Sequence, residues 1–375
     1  MNPFRYSEPL APEDLINRDG EAARLLERAA GSHNSRLVAP RRFGKTSLLQ
    51  RVLFDAAREG WATVYVNFFG AITSDEIASR IDRAYTSQLR GRLADWWRGV
   101  RRTLRPTMTV GGGPVPASIA VTGAGPEAPL ADRLALPVKL LEQRGIRTLV
   151  AFDEFQDVLG AGSRLDAVIR ANIERHGDAA SYIFAGSQVG MMRELFASKR
   201  RAFYAQAGPL DLGPLRDEDT VAYISQRFAA RNRSVGSALD PLLDLARGHP
   251  QRTMLIAHFL WEHTPAGGEA DEQVLAEVVD HLLDVEIRDE LRAIWTGMSI
   301  SQRRVLVAVA DNSDSLYSAA TRRKVGGARG GSLKTAATSL VDSGELVESR
   351  GTRTGYEVVD PLLAYWVRDG RHETA

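Results

Sequence analysis

The apolar positions of the chain follow two rhythms. In the first half, short runs rich in β-branched and aromatic residues alternate with longer segments whose apolar residues recur every three or four positions. The runs are residues 37–38, 62–68, 147–153 and 180–187. The intervening segments include one with Ala22, Leu25, Leu26 and Ala29 on one side, which Asn17 or Asp19 could cap. Another carries Leu48, Leu49, Val52, Leu53 and Ala56 on one face of residues 47–57. Residues 74–97, 130–144 and 164–175 read the same way. Strand and helix alternating in this order predict a parallel sheet covered on both faces, with ligands at the carboxyl ends of its strands.

From Asp217 onward the period is helical: residues 217–231, 239–246, 251–263 and 271–295 predict a small all-helical domain. The final section predicts helices at 299–310, 316–324 and 332–343. Strands at 345–349 and 356–359 then flank a turn at 350–355. Three helices followed by a hairpin make a winged helix-turn-helix. Residues 106–129 break the pattern, since two Gly/Pro clusters bracket a short apolar run, and they predict a mobile insertion or loose hairpin. Gly-rich though it is, no Gly-Lys-Ser/Thr and no helix follow directly, so it is not read as a phosphate loop.

Candidate chemistry sits where the first run gives way to its helix. Gly44, Lys45 and Thr46 form the back half of the phosphate-loop pattern G-x-x-x-x-G-K-S/T, with Ala39 where the first glycine is expected. A helix N-terminus offers free N–H groups and a favourable dipole to a phosphate. Gly44 admits close backbone approach, Lys45 would reach the β- and γ-phosphates, and the Thr46 hydroxyl would hold Mg²⁺. If the first loop position needs φ > 0, Ala39 is strained there. The strand at 147–153 ends in Asp153, a candidate Mg²⁺ ligand, and Glu154, a candidate base for the attacking water. Thr46, Asp153 and Ser187 all follow strand ends and could converge.

Composition narrows the remaining classes. A net charge of +1 leaves no global excess to select a partner, so any basic surface is local. The absence of cysteine excludes disulfides and thiol chemistry and fits a cytoplasmic protein. No apolar run approaches 18 residues and the start carries no signal-peptide core, so no membrane association is expected. The arginines around Trp96 and Trp97 read as a solvated helix face over two core tryptophans, rather than as a nucleic-acid or partner surface.

Several stretches together resemble the archaeal/bacterial ATPase family of the STAND group of AAA+-like P-loop NTPases, related to replication-initiator ATPases. The carriers are residues 17–21, the loop Ala39, Pro40, Arg41, Arg42, Phe43, Gly44, Lys45, Thr46 and Ser47, residues 152–156, 185–187, 248–250 and 360–366. The resemblance implies an α/β P-loop ATPase domain at 1–214, a helical lid at 215–296 and a winged helix at 297–375. ATP and Mg²⁺ would be bound. It also implies Arg18 near the adenine, Ser187 as a sensor of the γ-phosphate, Pro250 in a turn that closes on the nucleotide, and Arg252 near a second sensor arginine. One departure concerns the arginine many relatives carry after the first sensor. Its position holds Gln206, with Arg200 and Arg201 close by.

Three functions follow from these expectations. One is an ATP-dependent, slowly hydrolysing switch whose winged helix binds double-stranded DNA through Arg322, Arg323, Lys324, Arg329 and Lys334, with Arg350 and Arg353 from the wing. Another is a signalling or defence ATPase whose winged helix is a clamp that touches only protein. The third is a self-associating ring that remodels a partner.

Overall fold

The computed structural model describes residues 2–89, 91–103, 128–162, 164–312, 314–324 and 330–374. Most of the 106–129 stretch, Arg329 and the side chain of Lys324 lie outside the described residues. Five strands form one sheet: β1 (Ser35–Val38), β2 (Ala62–Asn67), β3 (Thr148–Asp153), β4 (Ala180–Gly186) and β5 (Gly208–Asp211). They lie side by side in the order β2-β3-β4-β1-β5, all parallel. The central β3 and β4 are buried along their whole length, as strands covered on both faces must be.

Eight helices cover this sheet: α1 (Asp19–Ala30), α2 (Lys45–Arg58), α3 (Ser74–Gln88), α4 (Arg92–Thr103), α5 (Ala128–Leu134), α6 (Leu136–Arg144), α7 (Leu165–Ile173) and α8 (Val189–Ala197). The alternation of side chains along each strand divides the core into two layers. Leu37, Leu149, Ala151 and Ile183 pack with α1 and α2. Val64, Val150, Phe152 and Phe184 pack on the other face with α3, α5 and α7.

Three local expectations change. The helix expected at 74–97 stops at Gln88, because the Gln88 amide pairs with both backbone groups of Tyr65 at 2.7 Å each and covers the open edge of β2. The chain then turns extended at Leu89 and restarts as α4, where Trp96 and Trp97 are buried as core residues. The 130–144 helix is likewise divided, at Ala135. At α1 neither expected cap forms. Arg18 occupies the cap position without a side-chain capping bond, the Asn17 amide reaches Asp219 instead, and Asp19 pairs with Arg51.

The second half holds α9 (Asp217–Ala229), α10 (Leu239–Ala246), α11 (Pro250–His263), α12 (Glu272–His281), α13 (Arg288–Gly297), α14 (Ile300–Asp311), α15 (Ala319–Lys324), α16 (Gly330–Ser343), the antiparallel pair β6 (Leu346–Glu348) and β7 (Tyr356–Val358), and α17 (Pro361–Arg368). A π turn at Leu282–Glu286 interrupts the helix expected at 271–295. One continuous apolar core joins the helices on either side of residue 297, with Leu260, Leu291, Leu306, Leu340 and Trp366 in the same cluster. Phe4 is buried in that core too. The N-terminal segment therefore spans from α11, where His258 Nδ1 donates to the Phe4 carbonyl at 2.7 Å, to α2, where Ser47 Oγ accepts from Leu10 N at 3.1 Å. Among the described residues no helix is long and apolar enough to cross a membrane.

Candidate functional site

Three adjacent strands deliver the candidate chemistry to one end of the sheet. β1 runs into the loop 39–44, β3 ends at Asp153 and β4 is followed by Ser187. The loop turns into α2 at Gly44, whose φ of 83° suits a residue without Cβ. Ala39 is not among the residues with positive φ, so the strain expected there is absent. Besides Gly44, the left-handed residue within the loop is Arg42, at φ 66°.

Thr46 and Asp153 meet: the Thr46 hydroxyl donates to Asp153 Oδ2 at 2.8 Å. The Tyr65 hydroxyl donates to the same oxygen at 2.8 Å, and Glu154 N donates to Oδ1 at 3.0 Å. Burial and the adjacent Asp153 charge push the Tyr65 phenol well above its ordinary value, so it stays a donor. Hydroxyl and carboxylate oxygens at this spacing are the donor set a hard divalent cation takes, so the residues fit Mg²⁺. Lys45 is buried, with its ammonium donating to the carbonyls of Ala39 at 2.9 Å and Pro40 at 2.8 Å. Burial lowers its pKa, and the charges of Glu154 and Asp153 act in the opposite sense. A buried cation bonded, among the described residues, to carbonyls, at the head of a helix, is a fit for an anion such as a phosphate.

Glu154 has left-handed backbone, φ 51° and ψ 43°, which is uncommon for this residue type and marks a locally constrained position. Its Oε2 accepts from Ser187 Oγ at 2.7 Å, Ser187 N at 3.2 Å and Gln156 Nε2 at 2.6 Å. Ser187 is thus brought against the candidate base and does not line the neighbouring cavity.

That cavity measures about 410 Å³. Its wall joins the loop residues Arg41 to Ser47 and Glu154 to the apolar Leu10, Leu15, Ile16, Leu215 and Met254. Arg18 and Pro250 also line it, and so does Phe69 beyond β2. The Arg18 guanidinium is tied to Glu21 at 3.2 Å and to the Gly213 carbonyl at 2.6 Å, with burial depressing its pKa. Phe43 packs edge-on against His249, ring centroids 4.9 Å apart. Arg252 does not reach the cavity. It is fully buried and bound to Asp360 and Glu290, and Glu290 also pairs with Arg42 of the loop. Neither Arg200, Arg201 nor Gln206 lines the cavity: Arg201 pairs with Glu194, while Arg200 and Gln206 are exposed.

No protein-family model matches the chain, and no curated protein matches it. Solved structures do. The Walker-type ATPase paby2304 of Pyrococcus abyssi aligns with a TM-score of 0.69 and 18% identity, over 96% of this chain and 99% of that one. The ORC2 protein of Aeropyrum pernix, in its ADPNP–ADP complexes, aligns with a TM-score of 0.57 and 18% identity, over 98% and 97%. Its ADP form aligns with a TM-score of 0.53. The chain shares their fold.

The C-terminal helices and hairpin reach the same end of the sheet. A Cβ at Gly344, between α16 and β6, would lie 3.5 Å from the Ser187 carbonyl and 4.0 Å from Pro40 Cα. Asp342 of α16 meets Arg193 of α8 at 3.4 Å. Of the basic residues expected there, Arg322, Arg323, Lys334, Arg350 and Arg353 are exposed. Sequence reasoning missed Tyr65, Gln156, the N-terminal strap and the Arg252–Asp360 pair. Tyr65 had a signal, since it is the polar-tipped position on a strand face adjoining the phosphate-loop helix.

Proposed function

We propose that the chain is an ATP-binding, slowly hydrolysing P-loop ATPase of the AAA+-like type, in which a helical lid and a C-terminal winged helix respond to the bound nucleotide. The observation that carries this reading is the convergence of Lys45, Thr46, Asp153 and Glu154 beside a cavity whose remaining wall is apolar. The apolar residues would take the base and the loop would take the phosphates. Thr46 and Asp153 would hold Mg²⁺, which supplies charge neutralisation on the phosphates when bound. Glu154 would take the proton from water as the water oxygen bonds to the γ-phosphorus. The bond from that phosphorus to the bridging oxygen breaks, and its electron pair leaves with ADP. Lys45→Ala is expected to weaken ATP binding at least about 100-fold, because it removes the buried cation aimed at the phosphates. Titration calorimetry with Mg²⁺–ATP tests this; unchanged affinity would remove the assignment.

Hydrolysis by the isolated chain is expected to be slow. An arginine on the transferring phosphoryl group contributes roughly 10³–10⁵ in rate, and among the described residues the arginines in the 200–206 stretch do not line the cavity. In this reading a partner or a self-associated copy supplies one.

The winged helix is proposed to bind duplex DNA through exposed Arg322, Arg323, Lys334, Arg350 and Arg353, with Lys324 and Arg329 as further candidates by sequence. The outer face of α16 exposes Ser332, Lys334, Thr335, Thr338 and Ser339, and the one acidic residue of the helix, Asp342, is paired with Arg193 of α8, which suits a polyanion. The packing of Gly344 against Ser187 and Pro40 favours a second reading, a protein-contacting clamp that holds the nucleotide state. Removing Arg322, Arg323 and Lys324 together should flatten the log–log salt dependence of duplex binding by roughly 0.9 for each phosphate that is no longer neutralised. No binding at low salt would leave the clamp.

A further inference from the structure

Gln156 lies two residues beyond Glu154 in the 3₁₀ turn Phe155–Leu159 and is buried. Its Nε2 donates to Glu154 Oε2 at 2.6 Å and to Asp157 Oδ1 at 3.2 Å. The two amide hydrogens thus serve two carboxylates, which fixes the orientation of the amide. Turned over, it would set its oxygen against both negative charges. Its Oε1 is buried without a hydrogen-bond donor among the described residues. A buried polar atom left unpaired is costly, and a side chain is held in that position only when something else fixes it.

The space the amide occupies is made by Gly186, the last residue of β4. A Cβ there would collide with Gln156 Oε1 and with Met192. The small residue before Ser187 and the glutamine after Glu154 are therefore one arrangement, contributed by two strands. With Ser187 it places three donors on Oε2 of Glu154. Oε1 is the oxygen left without a donor among the described residues, on a side chain that lines the cavity. The arrangement extends outward through Asp157, whose Oδ2 accepts from Gly70 N at 2.6 Å. Gly70 follows Phe69, which is 61% exposed at the cavity wall.

We infer that Gln156 is a positioning residue: with Ser187 it clamps one oxygen of Glu154, so that the other faces the attacking water, and through Asp157 it ties that geometry to the loop after β2. The inference rests on the reading of Glu154 as the group that takes the proton. Misplacing a reacting group by about 1 Å costs on the order of 100-fold in rate. Gln156→Ala should therefore lower kcat for ATP by about that factor, while the affinity for ATP stays within about twofold.

Gln156→Glu keeps the shape but replaces the two-proton donor with an acid. The charged groups it bonds among the described residues are Glu154 and Asp157, with Lys45 beyond Glu154; β4 and α8 bring the uncharged Gly186 and Met192 against it. At pH 8 the introduced carboxylate repels both neighbours and kcat is low. As the pH is lowered to 6 it takes a proton and can donate again, so the ratio of its kcat to wild type should rise. Gly186→Ala, which crowds the amide from the opposite strand, should reproduce the loss of kcat.

A Gln156→Ala kcat within about twofold of wild type would overturn the inference. So would a fall in ATP affinity in step with kcat, or a pH-independent ratio for Gln156→Glu, which would assign the glutamine to packing alone. Glu154→Gln separates the two levels. If it turns over normally, the reading of Glu154 fails. If it is inactive while Gln156→Ala is normal, only the clamp fails.

Discussion

Asp360→Ala removes the partner of a buried arginine, and its cost can be worked from the surrounding bonds. Arg252 is 0% exposed. Its Nε donates to both Asp360 oxygens at 3.0 Å, and a terminal nitrogen reaches Asp360 and, at 2.5 Å, Glu290. Breaking such a pair from one side typically costs about 3–5 kcal/mol, because the remaining charge stays buried. Asp360 also caps α17, accepting from Leu362 N at 3.0 Å and Leu363 N at 3.3 Å, and removing a cap costs about 1 kcal/mol. The sum is about 4–6 kcal/mol, a large share of the roughly 5–15 kcal/mol by which domains are stable. Trp295 and Trp366 lie 6.1 Å apart in the same core and report its unfolding by fluorescence. Urea titration should show the midpoint falling with little change in slope. Replacing both charges, Arg252→Met with Asp360→Leu, should recover most of the stability. A single-variant cost below about 1 kcal/mol, or a double variant as unstable as the single one, would refute the reasoning from burial.

Acid should act on the fold before it acts on carboxylates. Burial lowers His176 and His249 from 6.5 to about 4. Between these values the unfolded chain binds protons that the folded chain refuses, so stability falls as pH drops from about 6.5 towards 4, by on the order of 3 kcal/mol for each histidine. Urea midpoints from pH 7.5 to 4.5 check this, and His176→Phe should remove about one proton from the slope. Partial burial would raise Glu290 and Asp360, yet paired arginines hold both below their ordinary values. Their contribution is present above about pH 4.5 and disappears as pH falls further. Steady-state turnover should rise with protein concentration if a second copy supplies a cation, and Arg200→Ala with Arg201→Ala should abolish that rise; fast turnover by a dilute monomer, unaffected by the change, would contradict it.

The layered sheet was legible because each strand is a short apolar run and each helix repeats its apolar face. β5 was not read, since Gly208–Asp211 contains Pro209 and resembles a loop; a proline is tolerated there because β5 is an edge strand that pairs only with β1. The break after Gln88 was hidden as well, because the periodicity continues into Trp96 and Trp97 while the cause is a side-chain bond to β2. At the site, Lys45, Thr46, Asp153 and Glu154 were readable from local motifs. Arg252 was expected towards the nucleotide, but its direction depends on Glu290 and Asp360, which lie 38 and 108 residues away in sequence. Gln156 was invisible for a related reason: its meaning depends on the missing Cβ of Gly186, on another strand.

The most direct test of Glu154 as the group that activates water is a single-turnover assay of Glu154→Gln alongside wild type, with radiolabelled ATP and Mg²⁺ and enzyme in excess. The amide cannot accept the proton from water but leaves Lys45 and Thr46 in place. ATP should bind with near wild-type affinity, and phosphate release should slow by about 100-fold or more. Phosphate released at the wild-type rate would contradict that role.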